Sequence, residues 1–183
     1  MINWDNACLP KEFGGAGILN TKRFNEALLL RWVWRIYASS ADDSCCNLLK
    51  AKYLKNKPLL NEKKGKGSQL WKGVNKIKHN FCWGATFVVN NGKLTRFWED
   101  TWRGSTPLRI AFPRLFEISD NKTGRVCDFF KNDGWILNFR RSLSQQELVQ
   151  WGELIDQLEE VQLNSDQDTV KWELEKSGIY STK

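Results

Sequence analysis

The stretch ATFVVNNGKLTRFW, residues 85–98, is where the sequence changes period, and its reading decides the fold class. Upstream of it, apolar residues recur at helical spacing. Within it, two β-prone runs flank Asn91-Gly92, a pair whose residues both accept positive φ and which therefore favours a tight hairpin turn. The spacing predicts a β-hairpin over these residues, so a helical beginning is followed by strand-forming sequence.

Working outward toward the N-terminus, Ser68 can cap a helix in which Leu70, Val74, Ile77 and Phe81 keep helical spacing. The segment LKNKPLLNEKKGKG before it reads as a basic loop broken by Pro and Gly. A short helix is expected from a Ser44 cap to about Tyr53. From an Asn20 cap, TKRFNEALLLRWVWRIY is apolar nearly all round, the pattern of a buried helix. Ahead of it, PKEFGGAGIL (residues 10–19) places three glycines in four residues. GGAG has neither the Gly-x-x-x-x-Gly-Lys-Ser/Thr spacing of a phosphate loop nor the Gly-x-Gly-x-x-Gly of a dinucleotide loop, and no strand leads into it. It reads as a turn.

Toward the C-terminus, Ser144-x-x-Glu147 is a capping box, followed by Leu148, Trp151, Ile155 and Leu158 on one helical face. The tail alternates Val170, Trp172 and Leu174, breaks at Ser177-Gly178 and resumes with Ile179 and Tyr180, which predicts a terminal hairpin whose second strand is just beginning. The expected class is therefore mixed α+β, with a helix-rich N-terminal half, a central β-hairpin, an amphipathic helix and a terminal β-hairpin. We divide it into a helical, basic segment, residues 1–80, and an α+β segment, residues 81–183.

The 183 residues carry ten Trp and ten Phe, so much of the core must be built from large flat side chains. No run reaches the ~18–20 apolar residues of a membrane span. The N-terminus lacks a basic region followed by an apolar one, so we expect an intracellular protein, of nucleus or cytoplasm, without a secretory signal. Five cysteines without a C-x-x-C pair argue against a disulfide framework or a zinc knuckle. We expect reduced thiols, no metal and no cofactor.

The net charge of +7 is concentrated in the N-terminal half, where residues 1–100 hold 17 Lys and Arg against 8 Asp and Glu. Ten lysines (Lys50, Lys52, Lys55, Lys57, Lys63, Lys64, Lys66, Lys72, Lys76 and Lys78) face a single acid, Glu62. Such a stretch is a candidate nucleic-acid footprint, because lysines neutralise phosphates and release counterions. Tyr53, Trp71, Phe81 and Trp83 accompany it, and an exposed aromatic ring can stack a base. The same residues also fit a solvated lysine loop whose aromatics point into the core, and the sequence leaves both readings open.

The remaining motifs favour structural roles. Ser40-Ala41-Asp42-Asp43 lacks the aromatic residue and flanking strands of a polymerase metal turn, and two acids before a helix favour its dipole. His79, the lone histidine, has no obvious nucleophile partner. Glu99 and Asp100 lie between tryptophans in RFWEDTW, where Asp100 is expected to bind an indole N–H, Arg96 or Arg103.

Taken in order, Trp4, Cys8, Pro10, Lys11 and GGAG, then NEALLLRWVWR, AKY at 51–53, Ser68 with Trp71, NG before FWEDTW, FPRLF from Phe112, DTVKW and GIYS form a joint pattern. It resembles the reverse-transcriptase-like polyproteins of plant LINE-type, non-LTR retrotransposons, in the region between the polymerase domain and the C-terminal zinc-binding domain. The family commonly has Leu where this chain has Ala16.

The resemblance implies a connector fragment or relic, ending at the start of a truncated zinc-binding region. Its partners would be RNA or DNA and the neighbouring polymerase and zinc-binding domains. The aromatic-Ala-Asp-Asp and Cys/His motifs of that family match no position here. By itself the chain is therefore expected to be non-catalytic, although the family is one of RNA-directed DNA polymerases. The rival expectation is a packing module in which the tryptophans dock neighbouring domains and the lysines only solubilise.

Overall fold

The computed structural model describes residues 3–38, 43–55, 58–61, 67–132 and 134–182. The chain is mixed α+β and about half helical. The α-helices among the described residues are α1 (Trp4–Ala7), α2 (Thr21–Ala38), α3 (Ser44–Leu49), α4 (Gln69–Ile77), α5 (Leu108–Ala111), α6 (Pro113–Ile118) and α7 (Gln145–Glu159). Among the described residues four short strands, β1 (Ala85–Val88), β2 (Phe130–Lys131), β3 (Gly134–Trp135) and β4 (Thr169–Trp172), form two antiparallel pairs.

The helix starts are set by local caps. Asn20 Oδ1 accepts the Arg23 N–H at 3.1 Å ahead of α2, and Ser68 Oγ accepts the Trp71 N–H at 3.3 Å ahead of α4. Asp43, one residue before the expected Ser44, caps α3 through the Cys46 N–H and is itself held by Arg35 at 2.9 Å. At α7 the capping box forms, with the Ser144 N–H donating to Glu147 at 2.7 Å. The GGAG turn is a bend as read. Gly14 and Gly17 take φ of 78° and 67°, and a side chain on Gly15 would strike the Leu9 carbonyl oxygen at 2.0 Å.

The expected pairing over residues 85–98 does not form. β1 pairs instead with β4, in the register Ala85↔Trp172 to Val88↔Thr169. Of the two turn residues only Gly92 takes positive φ, 67°, so the chain bends here without closing the expected tight turn. The residues after it are diverted by Asp168, whose carboxylate collects the N–H groups of Asn90, Gly92, Leu94 and Thr95 and the Thr95 hydroxyl, all at 2.8–3.1 Å. Those N–H groups are then unavailable to a ladder with β1. The central hairpin lies farther on, as β2 and β3.

At the C-terminus, β4 ends in a tight turn closed by the Trp172 N–H donating to the Gly178 carbonyl at 2.8 Å. Tyr180 then reaches back to α2, donating its hydroxyl to the Ala27 carbonyl at 2.9 Å, in place of a second strand.

Inward positions alternate along the main pair, with Ala85, Phe87, Val170 and Trp172 buried. These join a hydrophobic core that draws on residues from Val33 to Trp172. Aromatic contacts run through it: Tyr37 stacks on Phe81 at 5.4 Å, Phe81 on Trp172 at 5.6 Å, and Phe97 meets Phe129 at 4.4 Å and Trp98 at 5.0 Å.

Helix α2 is buried only at Val33, Ile36 and Tyr37, while Phe24 and Leu28 are exposed, so the all-round apolar pattern overstates its burial. The helix packs on α4, where Leu29 lies against Gly73. Helix α7 turns Leu154 and Leu158 inward and leaves Leu148 exposed, a rotation of the expected face that also buries Glu147.

Candidate nucleic-acid interface

Of the ten lysines, Lys57, Lys63, Lys64 and Lys66 lie outside the described residues. Lys52, Lys55, Lys72 and Lys76 are exposed and Lys50 is half-buried. Lys72 and Lys76 stand one turn apart on the outer face of α4. The segment carrying Lys52 and Lys55 is anchored beside the start of that helix, because Tyr53 stacks on Trp71 at 4.4 Å and its hydroxyl accepts the Ser68 N–H. The structure thus brings two short basic runs alongside each other.

Lys78 does not belong to that face. It is 1% exposed, and its ammonium donates to the Leu59 carbonyl at 2.9 Å and to Asn75 Oδ1 at 3.0 Å. A phosphate cannot reach it without breaking bonds that make its burial tolerable. The reason is positional: residues 71, 74, 78 and 81 form one inward stripe, on which Trp71, Val74 and Phe81 are also buried.

The aromatics divide the same way. Trp71 and Phe81 are buried and offer no free ring face to a base. Tyr53 is half-buried with the Lys52 ammonium 5.4 Å from its ring, and Trp83 is 86% exposed. Trp83 is therefore the ring most available for stacking among the four.

A cleft of about 500 Å³ opens between the turn that follows α3 and the loop after β1. Its rim holds Lys50, Lys93 and Arg125, with Asp168 as the one acid among the described lining residues. Lys93 and Arg125 fell outside the lysine-rich stretch, and no local pattern marks them, since they reach the cleft from segments separated by some thirty residues.

The other motifs resolve into structural contacts. Arg96 and Asp100 form a buried pair, in which the Arg96 N–H, Nε and Nη2 donate to the carboxylate at 2.8, 3.0 and 2.5 Å. This is the structural use expected of Asp100. Asp43 is consumed by its cap and by Arg35, while Asp42 is outside the described residues. Burial pushes the Cys46 thiol up to about 11, helped by the neighbouring Asp43 carboxylate, so little of it is thiolate at neutral pH. His79 is exposed, in the short 3-10 helix Lys78–Trp83 that follows α4. Among the described residues no three His, Cys, Asp or Glu side chains are grouped to hold a metal ion. No helix among them is long and apolar enough to cross a membrane.

The chain has a distant relative of known name. Over 150 aligned residues, covering 74% of this chain, it is 25% identical to the Arabidopsis thaliana protein named "Putative ribonuclease H protein At1g65750". That protein is much longer, and the chain spans about a fifth of it, 22%. No family model matches the chain, and no solved structure matches it.

Proposed function

We propose that this chain is a non-catalytic connector region of a LINE-type reverse-transcriptase-like protein, and that its basic face holds RNA or DNA beside the neighbouring domains. The observation that carries the reading is the similarity to the Arabidopsis protein, whose name is typical of plant retroelement-derived genes. It agrees with the resemblance noted in the sequence motifs. The exposed Lys52, Lys55, Lys72 and Lys76, held alongside one another by the Tyr53–Trp71 stack, supply the electrostatic surface.

A lysine face of this kind binds phosphates without reading bases, so its affinity falls log-linearly with salt. The test is a titration against a labelled RNA hairpin and duplex DNA at several salt concentrations, with a Lys52→Glu, Lys55→Glu, Lys72→Glu, Lys76→Glu variant beside the unaltered chain. The expected result is a steep salt slope that becomes shallower in the variant. An unchanged slope in a folded variant would overturn the assignment of this face.

One observation favours a second reading, the packing module. Phe13, Ile18, Leu19, Phe24 and Leu28 are exposed in the N-terminal part of the chain, large apolar side chains that another domain could cover. Self-association of the isolated chain, without nucleic-acid binding, is its expected signature.

A further inference from the structure

The cleft between the turn after α3 and the loop after β1 has a charged rim and an apolar wall. Lys50, Lys93 and Arg125 stand around the rim. They come from three separate segments, so their convergence is made by the fold and not by a run of basic sequence. Ile36, Leu54 and Leu94 form the wall.

The acid that accompanies the three cations is spent on the fold. Asp168 Oδ1 accepts from Asn90 and Gly92, and Oδ2 accepts from Leu94 and from the N–H and hydroxyl of Thr95. Its two oxygens already receive five donors, and the formal balance among the described lining residues stays positive, three cations to one acid. The side chains of Asn91 and Gln167 also border the cleft and add amide groups, each with a donor and an acceptor.

We propose that this cleft binds a nucleoside monophosphate unit, with the phosphate among Lys50, Lys93 and Arg125 and the base against the wall of Ile36, Leu54 and Leu94. Three features support that ligand over a bare anion or an apolar molecule. Cations converging from several directions suit a phosphate, whose oxygens present acceptors on several sides. An aliphatic wall excludes water from a flat ring and covers its faces without selecting among bases. The volume, about 500 Å³, is in the ordinary range for small-ligand sites and admits one nucleotide but not a duplex.

A free nucleotide and an end or unpaired residue of a strand both present this unit, and the chemistry in the cleft is the same. The inference rests on the nucleic-acid reading proposed above, but uses residues apart from the α4 face.

The test is calorimetric titration of the full chain with AMP, with UMP, with a 5′-phosphorylated single-stranded oligonucleotide, and with adenosine and inorganic phosphate as half-ligands. Each is repeated on Lys93→Glu, an exposed loop position, and on Ala51→Phe, which fills the cleft from its exposed edge and changes no charge. The expected result is binding of the phosphorylated nucleosides or of the strand, with adenosine and phosphate alone weaker by about tenfold or more. Each variant should weaken binding by about tenfold or more. Tighter binding of the oligonucleotide than of AMP and UMP identifies a strand as the source, and the reverse identifies the free nucleotide.

Binding that both variants leave unchanged overturns the assignment, as does the absence of nucleotide and strand binding by the folded chain. The salt-dependent binding of duplex DNA and RNA hairpin is measured on the same preparations. If it persists while the cleft ligands fail, only the cleft inference falls; if it fails as well, the connector reading falls with it.

Discussion

Replacing Asp168 by Asn tests the reasoning about the fold most directly, because it keeps the side-chain volume and removes one acceptor oxygen. In the native chain Oδ1 accepts from Asn90 and Gly92 at 2.8 Å, and Oδ2 from the Leu94 N–H, the Thr95 N–H and the Thr95 hydroxyl at 3.0–3.1 Å. An amide can present oxygen to only one of these groups. Turned either way, its NH2 faces at least two backbone donors. One of them belongs to a buried residue, Gly92 or Thr95, and the other to a less buried one, Asn90 or Leu94.

An unsatisfied buried donor costs ~1–3 kcal/mol, so the sum is about 2–4 kcal/mol with the less buried group at the low end. Against a total stability of ~5–15 kcal/mol, that loss is readily measured as a lower urea midpoint at unchanged m-value. Hydrogen exchange should show the amides of Gly92 and Thr95 losing protection ahead of those in α7. A loss below about 0.5 kcal/mol, the scale of ordinary surface changes, would refute the claim that Asp168 organises residues 90–95.

Two further outcomes follow from the polar groups inside the fold. Glu147 is held down to about 2 by the Arg141 guanidinium and the Ser144 backbone and hydroxyl, against its ordinary 4.5. Its contribution to stability is therefore complete above about 4.5 and disappears as pH falls toward 2. The acid limb of a stability-versus-pH curve should be shallower in Glu147→Gln than in the unaltered chain, and parallel limbs would count against the cap as its origin. Lys78→Met should cost ~1–3 kcal/mol in urea denaturation by leaving the Leu59 carbonyl and Asn75 Oδ1 without their donor, while Lys76→Met, on the exposed face, should stay within about 0.5 kcal/mol. Equal effects would mean that Lys78 is not buried as described.

What could be read from the sequence was what is decided within a few residues. The caps at Asn20, Ser68 and Ser144 each act over three positions, and all three helices begin where those residues predict. The glycine bend and the positive φ at Gly92 are equally local. Strand pairing is not: β1 meets a partner beginning at Thr169, and the carboxylate that pulls residues 90–95 away from a hairpin sits next to that partner at Asp168. A strong turn signal therefore predicts the backbone of its glycine and neither the tight turn nor the ladder. Lys78 was legible in principle, because its place on the stripe of Trp71, Val74 and Phe81 marks it as inward facing. The cleft was not, since Lys50, Lys93 and Arg125 share no sequence pattern.

Charge in this chain serves two ends that composition cannot separate. Lys78, Arg96, Asp100 and Asp168 are buried, each bonded to partners that offset its desolvation. Lys52, Lys55, Lys72 and Lys76 are exposed and follow the opposite rule, since their attraction for phosphate comes largely from released counterions and fades as salt rises. The proposed cleft stands between these limits. Its cations border an apolar wall, so contact with a base contributes a part that salt does not screen. The two proposals thus differ in a quantity that one experiment separates. At rising ionic strength the surface term declines with the number of phosphates engaged, and whatever affinity for a single nucleotide persists belongs to the cleft.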